Sequence, residues 1–146
     1  MENKFMRLAI SEAEKALSEN EVPVGAVIVK EGKVIATGRN RREAKQNALC
    51  HAELEAINNA CKALGGWRLS DCDLYVTLEP CPMCAGAIIN ARIRRVYYGA
   101  FDDKAGSFGT LVDFNHLNYN HKPEIYAGIM EDECQNLLTE FFKALR

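Results

Sequence analysis

The sequence predicts an α/β protein, a three-layer α/β/α sandwich built on a mixed sheet. Three observations carry this. Apolar spacing switches between helical and strand periods along the chain. An apolar strand rich in β-branched residues, Val24 to Val29, leads into the turn Glu31-Gly32 and a returning strand, which reads as a hairpin. Further strands alternate with helical segments, which puts helices on both faces of the sheet.

The elements follow in order. Phe5, Leu8, Ala9, Ala13, Ala16 and Leu17 recur at helical spacing, so the chain opens with an amphipathic helix that Glu21-Val22-Pro23 ends. Val24 to Val29 is a near-continuous apolar run and reads as a strand buried on both faces. Lys33 to Arg39 is its hairpin partner, and Asn40 to Cys50 is polar and loop-like. From His51 the pattern turns helical through Leu64, closed by Gly65-Gly66. Asp73 to Thr77 is a third strand. Pro82 to Ala91 is a helix with proline at its first turn. Arg95 to Gly99 is a fourth strand, Phe101 to His121 is mostly loop, and Glu124 to Ala127 is a candidate fifth strand. Leu137, Leu138, Phe141 and Phe142 mark a last helix.

The 146 residues form one expected domain, spanning 1–146 and large enough to bury a core. Composition is 48% hydrophobic and 26% charged, ordinary for a soluble globular protein. No apolar run approaches a membrane span. Met1 to Phe5 lacks the pattern of a secretory signal, so the expected compartment is the cytoplasm. The formal net charge of −2 gives no support to a general nucleic-acid binder. It leaves room for a local basic patch, because a site's field depends on arrangement. Six cysteines are expected as thiols there. Cys61, Cys72 and Cys134 sit singly in patterned segments and read as small buried hydrophobes.

Two segments carry chemistry: His51-Ala52-Glu53 and Pro80-Cys81-Pro82-Met83-Cys84. Each sits at a predicted helix start. Two residues between cysteines let both sulfurs point at one centre, and a helix N-terminus favours thiolate, the form that binds zinc. A lone C-x-x-C could instead be a redox pair, and no second one completes a four-cysteine site. His51 completes a His/Cys/Cys set. Three protein ligands leave one tetrahedral corner open, as in catalytic zinc, whose water has a pKa near about 7. Glu53, two residues on, can serve that water as general acid and base without ligating the metal. The competing reading makes His51 a capping or core residue, Glu53 a solvated one and the cysteines buried thiols.

His-x-Glu followed by Pro-Cys-x-x-Cys resembles the signature of zinc deaminases acting on nucleobases. Over nearly its whole length the chain resembles the cytidine-deaminase-like superfamily, and within it the bacterial tRNA-specific adenosine deaminases. The matching segments are Glu21 to Val27, Asn40, His51 to Glu53, Leu74 to Ala87, Gly99-Ala100 with Asp102, Lys104 and Gly106, and Phe141-Phe142. The resemblance implies a five-stranded mixed sheet with flanking helices. It implies one zinc on His51, Cys81 and Cys84, with Glu53 moving protons. Asn40 and the backbone of Ala52 would hold the base, with Asp102 a further substrate contact. It implies a homodimer that converts the wobble adenosine of a tRNA anticodon to inosine. One departure stands out: Asn47-Ala48-Leu49-Cys50 replaces the family's Asp-Pro-Thr-Ala, in a loop expected to lie against the pocket.

Other readings stay open at this point. Asn40 also fits an Asx turn, Asp102 and Lys104 a solvated loop, and Phe141-Phe142 core packing. Arg39, Arg41, Arg42, Arg92, Arg94 and Arg95 could contact phosphates or simply face solvent. The alternative substrate is a free base or nucleoside: guanine, cytosine, adenine or a nucleoside. A non-enzymatic zinc-stabilised module in an RNA-modifying complex is the third possibility.

Overall fold

In the computed structural model, which describes residues 1–145, a five-stranded sheet lies between two pairs of helices. Helix α1 (Lys4–Ser18) starts at Asn3, whose side chain accepts from the backbone N–H of Phe5 and Met6. Its buried stripe centres on Met6, Ala9, Ile10 and Ala13. Leu8 lies off that stripe and is exposed, against the sequence expectation, because it sits about 100° from Ala9 on a helix of 3.6 residues per turn.

Strands β1 (Gly25–Lys30) and β2 (Lys33–Arg39) form the antiparallel hairpin. Helix α3 (Ala52–Leu64) follows, preceded by a four-residue helix α2 (Arg42–Lys45) inside the segment expected to be loop. Then come β3 (Cys72–Leu78), α4 (Pro82–Ala91), β4 (Arg95–Ala100), a 3₁₀ turn at Phe114–His116, β5 (Glu124–Tyr126) and α5 (Glu131–Ala144).

The sheet order is β2-β1-β3-β4-β5. β1 runs antiparallel to both β2 and β3, and β3, β4 and β5 run parallel. β2 and β3 therefore point the same way. The helices that follow them, α3 and α4, begin at the same end of the sheet. That single topological fact brings the two sequence motifs together.

Two glycines set how closely the helices approach. A side-chain carbon on Gly25 would strike the Ala9 carbonyl of α1, and one on Gly38 would strike the Ala52 carbonyl of α3. Gly25 pairs with Arg39 and Gly38 with Ala26, so the two positions alternate across the pleat and face opposite layers. The helix layers thus sit almost on the strand backbones. The core between them includes Ile28, Leu74, Val76, Ile88, Val96 and Tyr98, all buried. On the α1 face Tyr75, Tyr97 and Tyr126 stack in register across three parallel strands, at centroid spacings of 4.3 and 4.8 Å.

Candidate active site

His51 and Cys81 occupy the N-cap positions of α3 and α4, both with extended backbone. Pro82 takes the first helical position after Cys81, where no N–H is needed. Cys84 lies one turn in and is fully buried. The Nδ1 atom of His51 lies 3.6 Å from the Cys81 sulfur and 3.5 Å from the Cys84 sulfur. All three donor atoms fall within 4.8 Å of one another. A tetrahedral zinc with Zn–S near 2.3 Å and Zn–N of 2.0–2.1 Å requires a sulfur–nitrogen edge of about 3.6 Å. The donors already stand at that separation, and they are soft sulfur and imidazole, so this set fits zinc.

The charges of the cluster are polarised. The Cys81 thiol is held down to about 4, chiefly by the hydrogen bond from Cys84, with help from His51. Cys84 is pushed up by the same hydrogen bond and by burial. The hydrogen bond to Cys81 raises His51. Glu53, in the first turn of α3, is 4% exposed, and burial pushes its carboxyl up to about 7.

These groups open into a pocket of ≈ 170 Å³. His51, Ala52, Glu53 and Cys81 line it together with two loop regions. Val22, Val24, Asn40 and Arg42 come from one side of the chain's path, and Leu78, Glu79, Asp102 and Ala105 from another. A wider groove of ≈ 760 Å³ shares Val22, Arg42, Leu78 and Asp102 with the pocket and runs out over Phe101, Lys104, Phe142 and Lys143.

A family model described as MafB19-like deaminase matches residues 1–146. The chain belongs to this deaminase family. It is 50% identical over 143 residues to a tRNA-specific adenosine deaminase of Bacillus subtilis strain 168, covering 97% of this chain and 89% of that protein. It is also 50% identical over 144 residues to one of Rickettsia bellii strain RML369-C, covering 97% and 99%. A solved structure from a study of tRNA:A34 deaminases and A-to-I editing at the wobble position superposes with a TM-score of 0.90. That match has 48% identity and covers 92% of this chain and 99% of the other.

In this deaminase the residues expected at the site come together: His51, Ala52, Glu53, Cys81, Asn40 and Asp102 all line one pocket, with Cys84 buried behind it. Asn40 also makes the Asx turn. Its side-chain oxygen accepts from the Arg42 N–H at 3.1 Å, and its amide donates to the Val22 carbonyl at 3.2 Å. Asp102 accepts from the N–H groups of Lys104 and Ala105, which turns the chain at the pocket edge. Phe142 is 47% exposed and lines the groove.

The altered loop is placed differently from expectation. None of Asn47 to Cys50 lines the catalytic pocket. Leu49 and Cys50 line a separate groove with Arg41, Lys45, Leu54 and Lys62, and Leu49 is 59% exposed. The reason is α2, which carries the chain away from the pocket before it returns to His51. Two buried acids had no role assigned from the sequence: Glu79, which lines the pocket, and Glu21, next to the lining residue Val22, each 1% exposed. Glu21 accepts from the N–H groups of Glu43 and Ala44 and so holds the start of α2. The signal available was an acidic residue inside an otherwise apolar run, Glu21 before Val22-Pro23-Val24 and Glu79 between Leu78 and Pro80.

Proposed function

We propose that this deaminase binds one zinc through His51, Cys81 and Cys84 and hydrolyses the wobble adenosine of a tRNA anticodon to inosine. The observation that carries the reaction is the juxtaposition of three donors at sulfur–nitrogen distances that suit zinc with a buried carboxyl, Glu53, lining the same pocket. When bound, zinc supplies the Lewis acidity that makes water a nucleophile near neutral pH.

The chain's own residues then have these parts. Glu53 takes a proton from the attacking water, delivers it to N1 of the adenine ring, and passes the second to the amine. Oxygen bonds to C6, the C6–N bond breaks, and ammonia leaves. Burial keeps the carboxyl from competing water and lets it exist in both protonation states. The Asn40 amide and the Ala52 backbone orient the ring, and Asp102 contacts the nucleotide at the pocket edge.

The groove beyond the pocket supports RNA over a free base. It shares lining residues with the pocket, and beside Asp102 and Asp103 it offers Arg42, Lys104 and Lys143 to phosphates, with Phe101 and Phe142 to stack on bases. An anticodon loop presents its base unstacked, so no duplex has to be opened. The names of the relatives agree with this. The same reading makes the chain a single deaminase domain over residues 1–146, working as a homodimer in the cytoplasm, where its substrate is. No helix among the described residues is long and apolar enough to cross a membrane.

The test uses zinc-loaded protein and an unmodified transfer RNA whose anticodon begins with adenosine. Inosine should appear at that position alone. No inosine from folded, zinc-loaded protein, with ammonia released instead from a free base or nucleoside, would replace this reading with a small-molecule deaminase.

A further inference from the structure

We propose that Glu79 is a positioning residue: its buried carboxylate clamps the 102–110 loop against the end of β3 and thereby fixes the wall of the pocket that faces the substrate. The proposal rests on the reading of that pocket as the place where the base is deaminated.

Glu79 follows directly on β3 and stands two residues before Cys81. It is buried, and among the described residues it has no ion-pair partner. Its whole hydrogen-bonding capacity is spent on one loop. Oε1 accepts from the Asp102 N–H at 3.1 Å and from the Thr110 hydroxyl at 2.5 Å. Oε2 accepts from the Phe108 and Thr110 N–H groups, both at 3.1 Å. An acceptor-only group suits four donors, and an ionised carboxylate makes such bonds shorter and stronger than a neutral one does.

The loop is otherwise held mostly by short-range turns, such as the Gly106 N–H to the Asp102 carbonyl at 2.9 Å and the Leu111 N–H to the Gly106 carbonyl at 3.0 Å. It contains no helix or ladder of its own, only an isolated bridge between Phe108 and Asp113. Gly106 passes so close to the carboxylate that an added Cβ would stand 2.5 Å from Oε1. The Ser107 N–H donates to the Pro80 carbonyl at 2.9 Å, so the loop docks on the very segment that leads into Cys81. Asp102 and Ala105, which line the pocket, therefore take their positions from a side chain rooted beside a metal ligand. The Glu79 carboxylate, with four bonds, is the largest side-chain anchor between the segment leading to the donor cluster and the substrate wall, and the Ser107–Pro80 bond reinforces it. A carboxylate buried without a cation is costly unless its bonds are used, and here the bonds are used on the substrate side.

The experiment compares the zinc-loaded wild type with Glu79→Gln, Asp102→Ala and the double variant. The Gln amide turns an N–H₂ toward N–H donors, so the loop loses up to two of its anchors while the side chain keeps its volume. Amide hydrogen exchange should show Phe108 and Thr110 losing protection while β3 and α3 keep theirs. The value of kcat/KM for tRNA should fall on the order of 10- to 100-fold, the scale of a misplacement near 1 Å. Because Glu79 acts through Asp102, adding Asp102→Ala to Glu79→Gln should cost little more than the worse single change. Should Glu79→Gln fail to fold, Thr110→Val removes one donor only and should give the same pattern at a few-fold scale. Unchanged exchange at Phe108 and Thr110, or single effects that multiply fully in the double variant, would overturn the clamp. If wild-type protein made no inosine, the substrate reading would fail while the exchange measurement still judged the clamp.

Discussion

Gly38→Ala tests whether the approach of α3 to the sheet sets the geometry of the catalytic cluster. The new methyl would collide with the Ala52 carbonyl and stand 2.6 Å from the Ala56 nitrogen and 3.0 Å from the Glu55 Cβ. Ordinary contact begins near 3.5 Å, so the first turn of α3 must retreat by about 1 Å. That turn carries Glu53 and is capped by His51. The helix is not free to slide, because Glu55 accepts from the Arg39 N–H at 2.7 Å and from the Arg41 guanidinium at 2.6 Å. Overpacking of this kind costs about 1–3 kcal/mol. In a chain of this size that lowers Tm by about 2–12 °C. A shift of about 1 Å in the base and a ligand should lower kcat/KM by roughly 10²-fold. Gly66→Ala is the control, since nothing lies within 4 Å of its added carbon. It should change stability by no more than about 1 kcal/mol. The assays are thermal unfolding, zinc content and inosine formation. A Gly38→Ala protein with wild-type Tm and wild-type turnover would refute the idea that this contact holds the site in place.

Three further outcomes follow from the same structure. Glu53→Gln should lower kcat by about 10²–10⁴-fold while zinc content and Tm hold, because Glu53 is outside the donor set and a neutral amide is easier to bury; wild-type turnover would remove Glu53 from proton transfer. Zinc at about 100 times its Kd should add about 2.7 kcal/mol of stability, so chelation should lower Tm by roughly 5–10 °C, and Cys84→Ser should abolish the difference; a melting curve indifferent to chelator would contradict the site. Charge reversal at Lys104 and Lys143 should weaken tRNA binding and flatten its salt dependence by about 0.7–0.9 for each phosphate no longer neutralised, with kcat at saturation unchanged; an unaltered slope would place the phosphates elsewhere.

The sequence exposed what is local and hid what is long-range. The limits of α4, Pro82 and Ala91, were legible because proline marks a first turn and the apolar pattern stops there. The strand Lys33–Arg39 was legible from its turn and spacing. The donor set was legible because its chemistry depends on residue type and spacing within two short motifs. Helix α2 was not, since Arg42 to Lys45 has no apolar stripe and its N-terminus is held by Glu21, more than twenty positions earlier in the chain. The place of Asn47 to Cys50 was missed for the same reason, because its path depends on α2. Glu79 was visible in its motif, but its work is done on N–H groups 23 to 31 residues away.

This division has a physical consequence for how the site can vary. His51 and Cys81 stand at N-caps and Cys84 in the first turn of α4, where the backbone of a rigid helix fixes them and the helix N-terminus favours thiolate. Glu53 shares the first turn of α3 with His51 at its N-cap, so the proposed base and this donor cannot drift apart without breaking a helix. The substrate walls are built otherwise. Asn40 and Arg42 lie at the start of a segment held by Glu21, and Asp102 and Ala105 lie on a loop held by Glu79. Substitutions in those loops can reshape the pocket while the anchoring carboxylates and the reactive centre stay where they are. On the proposed roles, recognition is separable from chemistry here, with Glu21 and Glu79 holding the walls apart from the helix-borne donors.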